Sequence, residues 1–332
     1  MNVILGSKKM RYLCYRDDQE GTSMTTAENE MFEQVAAELD ADVLLINADI
    51  FPNLDADLVK MVCSRSRRSN VIVVLVTSGG LPDVAYRVGR CLQENYAHLT
   101  IVIAGWCKSA GTIMCAGADV LAFGVHGELG PIDVQLRRED EIGERDSGLS
   151  VESAFESLQG ASFKLFENCM LDIKDHSFGA ITFKTAAEIA SNMAVGMVAP
   201  IFAQLDPIKI GEIHRSVRIA EEYARRLAAR SGNLNPNAIN MLLRGYPDHG
   251  FVIDKLESKL LFRKVVEIDG KLKDLVDKLG NRAIIPTNEA VGGKGILEFL
   301  NHEQKTNQSK TPSRKSTAKS RTPSKKRAIR KK

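Results

Sequence analysis

A serine, two glycines and a histidine carry the first chemical signal in this chain. Ser109 lies in GWCKSAGTIMCA, between Lys108 and Ala110-Gly111, after one apolar run and before another. A hydroxyl at such a junction can attack a carbonyl carbon if a base takes its proton and amides meet the oxygen charge that develops. Thr77-Ser78-Gly79-Gly80 closes the preceding β-branched run. Paired glycines accept positive φ and let the backbone approach a ligand closely. The amides of Gly79 and Gly80, joined by that of Ala110, therefore form a candidate oxyanion hole. In the first turn of a helix the orphan amides and the macrodipole also favour negative charge. Taken singly, Ser109 reads as a helix N-cap and Gly79-Gly80 as a turn. His126, just before GELGPID, is a candidate base because imidazole titrates near neutral pH; the competing reading is a loop histidine that satisfies a carbonyl.

The elements that would position these groups alternate. TTAENEMFEQVAAELD has a threonine cap, an acidic first turn and apolar spacing at Met31, Val35 and Leu39, so it predicts a helix. ADVLLINADI predicts a strand and LDADLVKMVCSRSRR a helix. NVIVVLVTSGG and LTIVIAGW are continuous apolar runs of strands buried on both faces. PDVAYRVGRCLQENY opens on a proline and runs amphipathic, and GADVLAFG is a further strand. Strand–helix alternation implies a parallel sheet with right-handed crossovers. Beyond about residue 135 the pattern turns helical, after a polar loop LRREDEIGERDSG that lacks calcium-loop spacing. The expected organisation is an irregular segment at 1–25, an α/β core at 26–135, a helical extension with oligomer contacts at 136–285, and a linker with a basic tail at 286–332. MAVGMVAPIFAQL, the longest apolar run, is shorter than the roughly 18 residues of a membrane span and predicts a buried helix. VGGKGI at 291–296 reads as a loop.

Hydrophobic residues make up 44% of the 332 and charged residues 26%, proportions of a globular chain with a sizeable core. The six cysteines include no CxxC pair and no histidine at ligand spacing, which points to reduced thiols, no metal and a cytoplasmic setting. No leader-like run opens the sequence. Dinucleotide, Walker and HExxH patterns are missing, and no cofactor is expected. From Asn301 onward there are twelve Lys/Arg and one acid, Glu303, while the rest of the chain nets −8. A segment so rich in lysine and free of aromatics buries no core. It is a candidate for phosphate contacts with nucleic acid over residues 302–332, or a disordered solubilising extension.

VTSGG, GWCKSAGT and AFGVHGELGPIDVQ occur in the order of the superfamily that holds the Clp protease proteolytic subunit, signal peptide peptidase A and the crotonases. With AQLDPIKIGEIHR and YPDHGFVID, they most resemble the serine dehydrogenase proteinase family over roughly residues 25–265. The resemblance implies a spiral of ββα units, serine hydrolysis of peptides, homo-oligomers, and a substrate strand site shaped by Gly130, Pro131 and Asp133. Asp133 stands where the Clp subunit has its histidine, a departure from Ser-His-Asp. Signal peptide peptidase A uses a lysine instead. Lys164, among apolar neighbours in GASFKLFENCM and 55 residues after Ser109, and Lys184, in ITFKTAAEIA, are the lysines to compare with it. Such a lysine must be neutral to act, which calls for a desolvated site. Lys108, next to Ser109, leaves the turn in another direction.

Two functions follow from these residues. One is a soluble serine peptidase with a Lys or His base. The other is an oligomeric scaffold that has lost catalysis and binds nucleic acid through its tail. A crotonase acting on acyl-CoA fits less well, because no nucleotide site is visible.

Overall fold

A computed structural model describes residues 26–132, 135–137, 145–287 and 294–302, and of residues 26–27, 135–137, 145–154 and 156 the backbone alone. The first half follows the expected alternation. Helix α1 (Thr26–Glu38) leads to β1 (Ala41–Asn47), α2 (Leu54–Ser64), β2 (Asn70–Val76), α3 (Pro82–Asn95), β3 (His98–Ile103), β4 (Trp106–Cys107), α4 (Ala110–Ala116), β5 (Val120–Phe123) and β6 (Glu128–Leu129). Short strands β7 (Gln135–Arg137) and β8 (Arg145–Ser147) pair antiparallel and flank the polar loop, whose residues 138–144 lie outside the described residues. Helices α5 (Gly148–His176), α6 (Phe183–Phe202), α7 (Pro207–Ser231), α8 (Ala238–Arg244) and α9 (Lys255–Leu261) follow. Then come β9 (Val265–Glu267), α10 (Gly270–Leu279), a 3-10 turn (Gly280–Ala283) and β10 (Ile296–Phe299).

The central sheet runs β10-β1-β2-β3-β5-β9, parallel throughout except for β10. Its strands are apolar at successive positions because both faces are covered. Leu44, Ile46, Val73, Leu75, Ile101 and Ile103 face α3, α4 and α7. Val43, Leu45, Ile72, Val74 and Val102 face α1 and α10. Each such side chain taken fully out of water contributes on the order of 1.5–3 kcal/mol, so the sheet is the rigid part of the molecule. Helix α7 is closed at both ends as its sequence dictates. Asp206 accepts from the amides of Ile208 and Lys209 ahead of α7, whose end is closed by Gly232 at φ 62°.

Three expectations are corrected here. Strands β9 and β10 come from the stretches read as helical extension and linker, and both join the central sheet. Both strands are short and sit at sheet edges, which leaves little periodicity to detect. Asn301 is buried at the N-terminal end of β1. It accepts from Val43 N at 2.8 Å and donates to Asp42, which also receives Tyr96 Oη at 3.0 Å and pairs with Arg65 at 3.3 Å. Finally, α6 is not a buried helix. It packs along α5 through Ala186, Ala190 and Ala194 and is otherwise largely exposed. With 20 residues and a mean hydropathy of 1.2 in its best window, it is long and apolar enough to cross a membrane by length and composition. The N-terminal segment 1–25 and the tail from 303 lie outside the described residues.

Candidate active site

Beyond the C-terminal ends of β1, β2 and β3 the chain builds a second, shorter layer. Ile50 bridges Gly80, Thr77 bridges Cys107, β4 pairs with β6, and Leu129 bridges Ile253. Thr77 N donates to Trp106 O at 2.9 Å and Lys108 N donates to Thr77 O at 3.1 Å. This ladder lays the glycine turn beside the serine turn. A methyl group on Gly79 would stand 2.9 Å from Ser109 Cβ and 3.4 Å from its Oγ. One on Gly80 would stand 2.2 Å from Ile50 O. Both glycines have positive φ, 114° and 144°, so neither place suits another residue.

Ser109 is held at φ 50°, ψ −110°. A side chain in this region costs on the order of 1–3 kcal/mol and persists only where its surroundings fix it. Here Gly111 N donates to Lys108 O at 2.9 Å, and Thr112 N and Ile113 N both donate to Ser109 O, which locks the turn. Although Ser109 occupies the N-cap position of α4, its side chain makes no capping hydrogen bond. With seven residues, α4 also has little macrodipole to offer; what it brings is the individual amide of Ala110.

The three expected oxyanion donors are not equivalent. Gly79 N donates to Thr77 Oγ1 at 3.1 Å. The amides of Gly80 and Ala110 have no hydrogen-bond partner among the described residues. Thr77 is a participant that the sequence did not single out, visible only as the threonine of TSGG.

Around the turn, Lys108 is engaged with partners of its own. It is 7% exposed, its stem lies against Gly130, and Nζ sits 3.1 Å from Glu128 Oε1 and 3.4 Å from the carbonyls of Leu129 and Phe251. Thr112 Oγ1 donates to Gly130 O at 2.7 Å, and Gly130 N donates to Cys107 O at 3.2 Å. Gly130 and Pro131 are buried, and both backbone groups of Gly130 brace the serine turn. Asp133 lies outside the described residues. Cys107 and Cys115 meet beneath the turn with sulfurs 3.7 Å apart. Burial, reinforced by the Cys107 contact, pushes the Cys115 thiol well above its usual range, so it stays a neutral packing group.

The three expected bases share one property, exposure. His126 is exposed in the turn between β5 and β6. Lys164 on α5 and Lys184 on α6 are both exposed, so neither has the desolvated surroundings that a neutral lysine requires. The helix carrying Ser109 packs instead against α3 and α7. A separate open cleft of about 760 Å³ runs along α7 past His214, Arg215, Arg218, Tyr223 and Arg226. Its Arg226 already pairs with Glu222 one turn away at 2.8 Å, and none of its described lining residues is a nucleophile. Among the described residues no group of three His, Cys, Asp or Glu is placed to hold a metal ion. No protein-family model matches the chain, and no curated protein matches it significantly.

Proposed function

We propose that this chain is a serine hydrolase acting on peptide bonds, with Ser109 as nucleophile and the amides of Gly80 and Ala110 as oxyanion donors. One observation carries the reading: a serine at positive φ packed against a glycine that has no room for a side chain. Strained strand-to-helix turns are a recurrent way to present a nucleophilic hydroxyl, and backbone strain gathers at sites that use it. Ser109 Oγ attacks the carbonyl carbon. The C=O π electrons move onto oxygen and the two amides stabilise that charge; as the carbonyl re-forms, the C–N bond breaks and the leaving nitrogen takes the serine proton through a base, and water then cleaves the acyl-serine ester, releasing the acid and returning the proton to Ser109 Oγ. The paired strand layers, with bridges at 50–80, 77–107 and 129–253, support the ββα spiral of the Clp and crotonase superfamily. In that reading the base is Lys164, Lys184 or His126, brought to Ser109 by a neighbouring copy or by a rearrangement of the single chain.

A second reading has its own observation. All three bases are exposed in the single chain, as in a scaffold that has lost catalysis and binds nucleic acid through the basic residues after 302. The deciding experiment compares wild type with Ser109→Ala using a fluorophosphonate probe and a fluorogenic peptide set. Labelling and cleavage that vanish in the variant, with an unchanged circular dichroism spectrum, support the hydrolase. Equal labelling of both proteins, or none of either, removes it.

A further inference from the structure

Helix α7 runs beside α3 in the same direction. Tyr223 stacks on Tyr86 with ring centroids 4.6 Å apart, Gln93 Nε2 donates to Leu227 O at 3.0 Å, and Ser231 Oγ donates to Ala116 O, at the end of α4, at 2.8 Å. Helix α3 sets out from Gly80 and Leu81, and α4 from Ser109. The turns of α7 before Tyr223 therefore stand at the end of the sheet that carries the serine. The open cleft of about 760 Å³ lies along these turns, from Gly211 to Arg226.

Its charge is uneven. Glu221 and Glu222 are each taken by the arginine one turn further on, Arg225 at 2.7 Å and Arg226 at 2.8 Å. Arg215 and Arg218, three residues apart on one face, are exposed and have no acidic partner among the described residues. Two uncompensated guanidinium groups thus line the cleft of a chain whose residues before Asn301 net −8. A cationic cleft in an acidic body gathers anions to that spot. The planar guanidinium fork holds a carboxylate through two parallel hydrogen bonds. Glu221 and Glu222 in the same lining oppose a polymer charged at every unit, such as nucleic acid, and favour a chain with carboxylates at intervals. Tyr223 adds an apolar ring for the rest of that chain.

We propose that this cleft binds acidic peptide segments through Arg215 and Arg218 and so selects acidic substrates for Ser109. This inference rests on the hydrolase reading and names its substrate class. The test is fluorescence anisotropy on the full chain carrying Ser109→Ala, at about 0.15 M salt. The probes are a fluorescein-labelled glutamate-rich peptide and its glutamine counterpart. The glutamate peptide is expected to bind at least ~10-fold tighter, and Arg215→Gln/Arg218→Gln to weaken it by at least ~10-fold with unchanged circular dichroism. Arg230→Gln, exposed on the last turn of α7, keeps the parent affinity. The basic residues after 302 are present in every variant, so the difference reports the cleft alone. Equal binding of the two peptides, or a double variant that binds as the parent does, overturns the proposal. Oligothymidylate that binds more tightly than the glutamate peptide and is lost in the double variant overturns it in favour of nucleic acid. The two readings fail separately, because binding is read without the nucleophile. Fluorophosphonate labelling of wild type with no preference for glutamate overturns the cleft alone. An arginine-dependent preference without labelling removes the hydrolase and leaves an acidic-peptide site.

Discussion

Gly79 and Ser109 are in contact across two chain segments thirty residues apart, with 3.4 Å between the serine oxygen and the place a β-carbon would take on the glycine. That closeness makes the glycine a test of the site. Gly79→Ala puts a methyl group 2.9 Å from Ser109 Cβ at a φ of 114°. The expected result is loss of probe labelling by at least ~100-fold, together with a stability cost of about 2 kcal/mol in urea unfolding. Full labelling of a stable variant would show that the two turns are not coupled.

The conformation of Ser109 makes a second, independent expectation. Glycine occupies φ 50° without the clash that a β-carbon brings, so Ser109→Gly is expected to be more stable than Ser109→Ala by about 1 kcal/mol. Both variants lack the hydroxyl, and the comparison isolates backbone strain from chemistry. Equal midpoints in chemical denaturation would mean that the turn carries no such strain.

Lys108 and Glu128 form a nearly buried pair, with side chains 9% and 17% exposed. Removing one partner strands the other, so Lys108→Met is expected to cost about 3 kcal/mol. Lys108→Met/Glu128→Gln is expected to recover part of that loss, which a double-mutant cycle of unfolding free energies measures directly.

Alkaline pH should weaken the fold through two tyrosines. Burial, then the Asp42 carboxylate, raises Tyr96, and burial with the hydrogen bond to Glu257 raises Tyr246, both above the ordinary phenol value of 10.0. A raised folded value means that the native state keeps its proton after the unfolded chain has lost it. The contribution is thus complete below pH 10 and declines as pH climbs past it. Tyr96→Phe and Tyr246→Phe are each expected to flatten the alkaline limb of a stability–pH curve. An unchanged limb in both would contradict these buried surroundings.

Much of the body was legible because its signals are local and strong. NVIVVLVTSGG and LTIVIAGW could only be strands covered on both faces, and the proline at the start of α3 and the aspartate ahead of α7 mark their helices in the sequence. The pairing of Gly79-Gly80 with Ser109 was also readable, since consecutive parallel strands bring their C-terminal turns to one edge. What stayed hidden depends on distant partners. Strand β10 is four residues long and becomes a strand by lying antiparallel to β1, more than 240 residues earlier. The exposure of α6 could not be seen because an apolar helix reads alike whether a core or a second molecule covers it. Which glycine amide is occupied rests on the rotamer of Thr77, which no residue spacing encodes.

The buried fastening of Asn301 to Asp42 and Val43 pins the last described strand to the first. This anchor lies at the floor of the sheet, while Gly80 and Ser109 lie beyond its rim, past roughly 23 Å of a seven-residue strand. Closure of the fold and presentation of the hydroxyl are thus built at opposite ends of the same strands, so either can be altered without touching the other.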